Sequence, residues 1–147
     1  MRYLLDVNVL IALVDPSHVQ HEAAHRWFAE QGQQAWATCP LTENGLLRIV
    51  GNLRYPNSPG SPAAVVPLMV GLRALPGHVF WADSISLLDT DKFDLERLLS
   101  ASQVTDSYLL ALAIANGGQL ATFDYRLVTA AVRDGVNGLH LIKTKLD

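Results

Sequence analysis

The sequence of 147 residues predicts an α/β fold in which helices cover a central parallel sheet. Two observations predict this class. Short β-rich runs alternate with helical patterns along the whole chain, which is typical of parallel strands joined by helical crossovers. The composition is that of a globular protein, with half of the residues hydrophobic and 17 % charged. A chain of this length can bury its own core, so we expect residues 1–147 to form a single domain.

Strands are predicted where short apolar runs rich in β-branched, aromatic and leucine residues lie between turn-forming residues, at 3–5, 35–38, 79–81, 119–123 and 139–142. Helices are predicted where apolar residues recur at spacings of three and four, at 8–14, 18–31, 41–50, 63–75, 95–99, 105–115 and 126–133. Glycine marks the ends of several helical patterns, as at Gly32 and Gly135, and Ser61-Pro62 marks the start of another. Strands and helices therefore alternate as the fold class requires.

The bulk properties exclude several classes of protein. A net charge of −3 argues against a broad basic surface, so any RNA must bind at a local patch together with a metal ion. The single cysteine, Cys39, excludes an internal disulfide, fits a reducing cytosol and is interpreted as a core residue. No apolar run approaches the roughly 20 residues of a membrane span, and no cleavage site follows the apolar N-terminal segment. We therefore expect a cytoplasmic protein without a membrane span.

Four acidic residues occupy positions that are typical of a metal site. Asp6 and Asp124 each end an apolar run, and Glu43 and Asp106 lie at the starts of two helical patterns. In an open α/β sheet, strand ends and helix starts converge at the edge where ligands bind. Carboxylates gathered there repel one another unless a cation is bound, and such oxygen ligands suit Mg²⁺ or Mn²⁺. Each acid alone is better explained as a turn or first-turn residue, but the four together favour metal-assisted phosphodiester chemistry.

Three polar residues beside these acids are candidates for supporting roles. Asn8 follows Asp6 by two positions, where it could orient that carboxylate or donate to a phosphate oxygen. Thr122 lies at the end of the same run as Asp124. Arg126, two residues after Asp124, is the best candidate for a contact with the phosphate backbone of a substrate.

Four motifs resemble those of the PIN-domain ribonucleases, and among them the VapC-type toxins of bacterial toxin–antitoxin pairs. They are, in the family's order, Leu5-Asp6-Val7-Asn8-Val9-Leu10-Ile11, Leu41-Thr42-Glu43-Asn44-Gly45, Thr105-Asp106-Ser107-Tyr108-Leu109-Leu110-Ala111-Leu112-Ala113 and Leu120-Ala121-Thr122-Phe123-Asp124. The resemblance spans almost the entire chain and implies a PIN-like three-layer sandwich with a central parallel sheet. It also implies Mg²⁺- or Mn²⁺-dependent endoribonuclease activity on RNA, a homodimer, and neutralisation by a small cognate antitoxin protein.

The resemblance also assigns roles to the acids. Asp6 and Asp106 look like the main metal ligands. Asp124 completes the acidic pocket, and Glu43 binds the metal directly or through water. Unlike some relatives, this chain has no further acid directly after Asp124, where Tyr125 stands. The expected reaction is hydrolysis by a metal-activated water that attacks the scissile phosphate in line and leaves a 5′-phosphate and a 3′-hydroxyl.

A second interpretation is a zinc metallopeptidase, because His21-Glu22-Ala23-Ala24-His25 matches the H-E-x-x-H signature on a predicted helix. Glu43 is then a conceivable third ligand. The extended metzincin pattern fails, however, since Phe28 and Gln31 stand where glycine and histidine belong. On a helical wheel His18, His21 and His25 lie beyond the apolar face, so we interpret them as solvated or as part of an RNA or antitoxin surface. This alternative also leaves the three aspartates unexplained.

A third interpretation is a non-catalytic switch with an acidic pocket, such as a phospho-accepting receiver domain. Receivers carry adjacent acids after the first strand and a lysine at the last strand. Asp6 has no adjacent acid, whereas Lys143 does follow the last predicted strand, so this alternative stays open. Phosphorylation by a small phosphodonor would support it.

Overall fold

The core of the fold is a sheet of five parallel strands in the order β3-β2-β1-β4-β5. The computed structural model describes residues 1–144, so the last three residues of the predicted domain lie outside the described part. The strands are β1 (Tyr3–Leu5), β2 (Trp36–Thr38), β3 (His78–Phe80), β4 (Gln119–Thr122) and β5 (Leu139–Leu141). All five predicted strands are confirmed, and β1 lies in the middle between β2 and β4.

Helices cover both faces of this sheet. They are α1 (Val7–Val14), α2 (His21–Glu30), α3 (Pro40–Val50), α4 (Pro62–Arg73) and α5 (Gln103–Ala115), with 3-10 turns at Gly32–Gln34, Leu95–Arg97 and Gly135–Gly138. The first four helices pack into one hydrophobic core, and α5 packs into a second core on the opposite face. The three-layer α/β sandwich is therefore confirmed. No helix among residues 1–144 is long and apolar enough to cross a lipid bilayer.

The alternation of side chains along β1 explains why the sheet needs helices on both sides. Leu4 and Leu5 are both fully buried, but Leu5 belongs to the core under α1–α4 and Leu4 to the core under α5. Successive side chains of a strand point to opposite faces, so a strand that is apolar at consecutive positions must be covered twice. Cys39 is fully buried in the α5 core, which confirms its interpretation as a core residue.

Three predicted helices differ from the structure. The predicted helix at 126–133 is wrong: the segment is irregular, because a turn after Asp124 opens it and Val132 forms an antiparallel bridge with Phe93. The predicted helix at 95–99 is a single 3-10 turn, since Leu95 and Leu99 are exposed and there is no apolar face to bury. Helix α2 begins three residues later than predicted, because His18 lies in a turn that precedes it.

The contact between α1 and α3 is close enough to require a glycine. A Cβ atom built on Gly45 of α3 would lie 2.7 Å from Cγ2 of Val7, the first residue of α1. Because Val7 follows Asp6 directly, this contact also fixes where the start of α1 sits relative to α3. Glu43 lies in the first turn of α3, two residues before the glycine. The helix packing therefore sets the position of both acidic residues.

We predict that Gly45→Ala destabilises the protein, because β-branched Val7 has little freedom to move away from the new methyl group. Overpacking of this kind costs about 1–3 kcal/mol of unfolding free energy. The matched control is Gly71→Ala in α4, where nothing lies within 4 Å of the added Cβ. That change should stabilise the protein by about 0.5–1 kcal/mol. Urea unfolding of both variants measures the two effects, and a Gly45→Ala protein as stable as Gly71→Ala would contradict the packing argument.

Candidate metal centre

Asp6 is fixed at the junction between β1 and α1. It is the N-cap residue of α1, and its Oδ1 accepts a hydrogen bond of 2.8 Å from the backbone N–H of Val7. Its side chain is almost completely buried, with 7 % exposed. The neighbouring strand β4 also ends here, which makes this the point where the sheet order reverses. In open α/β sheets that crevice is where ligands bind.

The hydroxyl of Thr122, at the end of β4, connects the polar residues of this crevice. It donates to Oδ2 of Asp6 at 2.8 Å and accepts from the side-chain amide of Asn8 at 3.0 Å. It also accepts from the backbone N–H of Asp124 at 3.1 Å. Thr122 is fully buried, so its single hydroxyl holds Asp6, Asn8 and Asp124 in fixed relative positions. Asn8 thus acts on Asp6 through Thr122 rather than directly.

Asp106 approaches the same crevice from the other face of the sheet. It lies in the first turn of α5, and among residues 1–144 its carboxylate has no hydrogen-bond donor and no cationic partner. Partial burial, together with the negative charges of Asp6 and Asp124, raises its pKa from 3.8 to about 6. The Asp106 carboxylate is therefore partly desolvated beside two other negative charges, with no positive charge among residues 1–144 to offset them.

Burial also raises the pKa of Asp6. The hydrogen bonds from Thr122 and Val7 oppose this effect because they stabilise the charged form, whereas the charge of Asp124 adds to it. The three aspartates therefore interact electrostatically, as the sequence predicted for carboxylates at strand ends and helix starts. Mutual repulsion of this kind is relieved by protonation or by a bound cation.

The described acids near the crevice do not form a complete set of metal ligands. Across residues 1–144, no three histidine, cysteine, aspartate or glutamate side chains are placed to hold one metal ion at once. Mg²⁺ in proteins commonly binds one or two carboxylates and retains several waters. Asp6 and Asp106, with Asp124 nearby, are the residues that could hold such an ion through carboxylate oxygens.

Glu43 is held apart from the three aspartates. Its Oε2 accepts a hydrogen bond of 2.6 Å from Thr38, and its Oε1 forms an ion pair of 3.3 Å with Arg73 of α4. The Thr38 hydroxyl also accepts from Nε2–H of His78 at 2.8 Å. The sequence analysis missed Thr38 and Arg73. A signal for the first existed, because β2 and β4 both end in Ala-Thr and each threonine donates to one of the four acids.

Arg126 lies two residues after Asp124, but its guanidinium forms no ion pair with an acid among residues 1–144. Its backbone N–H donates to Oδ1 of Asp124 at 2.9 Å, while its guanidinium lies 5.4 Å from the centre of the Tyr125 ring. Both side chains are exposed. The guanidinium is therefore exposed to solvent, and its contact with a phosphate stays a prediction.

The histidines of the H-E-x-x-H sequence have a structural role. Nδ1–H of His21 donates to the carbonyl of Ala12 at 2.7 Å, and Nε2–H of His25 donates to the carbonyl of Leu13 at 2.8 Å. These carbonyls belong to the last turn of α1, where backbone acceptors lack partners within the helix. His25 is exposed, as predicted, and His21 is partly exposed, but one ring nitrogen of each is bonded to α1. Glu43, the conceivable third zinc ligand, is bonded to Thr38 and Arg73 instead.

Comparison with known proteins identifies the family. The model of the PIN domain family matches residues 3–132. Ribonuclease VapC44 of Mycobacterium tuberculosis is 45 % identical over 96 % of this chain and 98 % of its own length. Ribonuclease VapC39 of the same organism is 42 % identical over 89 % of this chain and 94 % of its own length. The chain therefore belongs to the PIN domain family, as a toxin of the VapC type.

Solved structures agree on the fold. VapC20 of Mycobacterium tuberculosis, a toxin that cleaves the sarcin–ricin loop, superposes with a TM-score of 0.54 at 15 % identity, covering 84 % of this chain and 88 % of that one. VapBC2 from Rickettsia felis, solved with a DNA fragment from its promoter, also gives a TM-score of 0.54, at 16 % identity and with 84 % and 89 % coverage. Membership in this family disfavours both the zinc-peptidase and the receiver interpretations.

We predict that Asp106→Asn stabilises the metal-free protein at neutral pH. The pKa of Asp106 is about 6 in the folded protein, against 3.8 as its ordinary value. The folded state therefore binds its proton more tightly, and the free energy of unfolding falls as the pH rises through roughly 4 to 6. Asparagine removes this penalty. Since the side chain is partly exposed, the gain at pH 7 should be about 1 kcal/mol.

Thermal melts in a chelator at pH 4 and pH 7 measure this effect. The variant should match the native protein at pH 4 and melt higher at pH 7, whereas the control Asp91→Asn, at an exposed position, should change little.

Added Mn²⁺ should raise the melting temperature of the native protein but not that of Asp6→Asn/Asp106→Asn. An Asp106→Asn protein that melts at or below the native temperature at both pH values would contradict the assignment.

Proposed function

We propose that this protein is a divalent-metal-dependent endoribonuclease and the toxin of a toxin–antitoxin pair. The observation that carries the proposal is the convergence of Asp6, Asp106 and Asp124 on one crevice without a compensating cation among residues 1–144. The names of the relatives support it, since VapC44 and VapC39 are both called ribonucleases. The proposal further treats residues 1–147 as a single PIN-like domain that acts in the cytoplasm.

The proposed cofactor is Mg²⁺, with Mn²⁺ as a substitute, held by Asp6 and Asp106 with help from Asp124. Glu43 would contribute directly or through water, after its present bonds to Thr38 and Arg73 have changed. When bound, the ion would lower the pKa of a water molecule and offset negative charge on the scissile phosphate.

The protein's own residues prepare the site for this chemistry. Thr122 and the N–H of Val7 stabilise the charged form of Asp6 and hold it in place before any substrate arrives. Asn8 locks the Thr122 hydroxyl in the orientation that donates to Asp6, because its own amide donates to the oxygen of that hydroxyl. Arg126, exposed beside Asp124, would bind a backbone phosphate of the RNA. The products would carry a 5′-phosphate and a 3′-hydroxyl.

The proposed partners are a small cognate antitoxin and a second copy of the chain. The Rickettsia felis neighbour is a VapBC2 assembly, which supports an antitoxin for this chain as well. We predict that purification with the neighbouring gene product yields a stoichiometric complex, and that light scattering of the isolated protein gives the mass of a dimer. A monomer at all concentrations would contradict the homodimer, and the absence of any bound small protein would contradict the antitoxin.

We predict that Asp6→Asn and Asp106→Asn each abolish Mn²⁺-dependent cleavage of structured RNA, with a loss of at least about 100-fold, because each removes charge that holds the ion. The double variant should be little worse than either single one, since the acids act as a unit. His21→Ala and His25→Ala should keep most of the activity at temperatures where they remain folded, because their nitrogens bond to α1 and not to the site.

End-group analysis of the products tests the reaction type. A 5′-phosphate is expected, and a 2′,3′-cyclic phosphate would show instead that the 2′-hydroxyl is the nucleophile. Full activity in Asp106→Asn would overturn the metal-site assignment. A loss of activity in His25→Ala that a melt cannot explain would revive a role for the histidine.

A further inference from the structure

Among residues 1–144, Arg48 and Arg54 differ from most of the other cations because no acidic group or carbonyl engages them. Arg73, Arg97, Arg2 and Arg133 are all bonded to carboxylates or backbone carbonyls. The side chains of Arg48 and Arg54 have no such partner in the described chain, and both residues are exposed. Two unpaired arginines close together in a protein of net charge −3 form a local positive patch.

These arginines line two adjoining depressions beside α3. The first has a volume of about 470 Å³ and the second about 310 Å³, and Arg48 and Asn52 line both. Asn44 lies one helical turn before Arg48 on the exposed face of α3, and Arg54 lines the second depression. No acidic residue lines either of them. We call this surface, formed by Asn44, Arg48, Asn52 and Arg54, the α3 groove.

The groove begins one residue after Glu43, and hydrogen bonds anchor the loop at its other end. Asn44 directly follows Glu43 in α3. At its other end, the N–H of Arg54 donates to Oδ1 of Asn52 at 2.9 Å. The hydroxyl of Tyr55 donates to buried Asp15, which ties the loop after α3 to the end of α1. The arginines are therefore presented on a fixed surface.

We propose that the α3 groove binds the sugar–phosphate backbone of a single-stranded segment of the substrate RNA. This inference rests on the proposed ribonuclease function. Arginine binds phosphate through two parallel N–H donors. The two asparagines add amide groups that both donate and accept, which suits phosphate oxygens and ribose 2′-hydroxyls together.

Binding is measured in the Asp6→Asn background, so that the RNA is not cleaved, by fluorescence anisotropy with a labelled single-stranded oligoribonucleotide of mixed sequence. Arg48→Ala/Arg54→Ala should weaken binding by roughly 10-fold. It should also reduce the slope of log K against log salt by about 1.4, the value for two lost phosphate contacts on a single strand. The matched control is Arg26→Ala/Lys92→Ala, which removes two other unpaired cations and changes the net charge equally.

The control pair should leave affinity and salt slope nearly unchanged. If both variant pairs lose RNA affinity equally, the effect is one of net charge, and the proposal that the groove binds RNA is wrong. An unchanged salt slope in Arg48→Ala/Arg54→Ala would also contradict the proposal. If the groove pair binds RNA normally but no longer binds the co-expressed antitoxin, the groove is a protein-binding surface and the RNA assignment is wrong. Arg48→Gln/Arg54→Gln repeats the measurement if the alanine pair lowers the melting temperature.

A cleavage assay with the native chain distinguishes failure of the groove proposal from failure of the proposed ribonuclease function. If the native chain cleaves RNA but Arg48→Ala/Arg54→Ala binds RNA as tightly as the native side chains do, only the groove proposal is wrong. Absence of Mn²⁺-dependent cleavage by the native chain would overturn the proposed function and the groove with it.

Discussion

The pairing of β1 with both β2 and β4 is the constraint on which the rest of this structure depends. Because β1 lies in the centre of the parallel sheet, its carboxyl end meets the ends of both neighbours. Asp6 follows β1, Thr122 ends β4, and Thr38 ends β2, so three polar groups are gathered at one edge by hydrogen bonding of the backbone alone. The helices add Asp106 and Glu43 to this edge from opposite faces of the sheet.

Threonine at a strand end emerges as a repeated solution to one physical difficulty. A buried carboxylate is costly unless a donor stabilises its charged form. Thr122 and Thr38 are both fully buried, and each donates its hydroxyl to one acid, Asp6 and Glu43 respectively. The two acids differ in what else they meet. Glu43 has Arg73 as a counter-charge, whereas Asp6 lies near the negative charge of Asp124.

Much of this arrangement could be predicted because it depends on short-range sequence. All five strands are short apolar runs, and Asp6, Thr122 and Asp124 follow directly from where those runs stop. The partners of Glu43 could not be predicted in this way, since Arg73 reaches it only through the packing of α4 on α3. The segment 126–133 was misjudged for a similar reason. Its buried residues Leu127 and Val132 lie in the same core as Phe93, which bridges to Val132, and no local periodicity can indicate that contact.

The hydrogen bond between Asp6 and Thr122 joins residues that are 116 positions apart in the chain. Synthesis on the ribosome produces the N-terminal half first, so Asp6 exists long before its partners do. Until β4 has emerged and paired with β1, Asp6 lacks its side-chain donor Thr122, and there is no crevice for Asp106 to enter. An incomplete translation product that ends before Thr122 therefore lacks the assembled acidic centre, whatever the condition of its helices. The order of synthesis places completion of this centre among the last events in the making of the molecule.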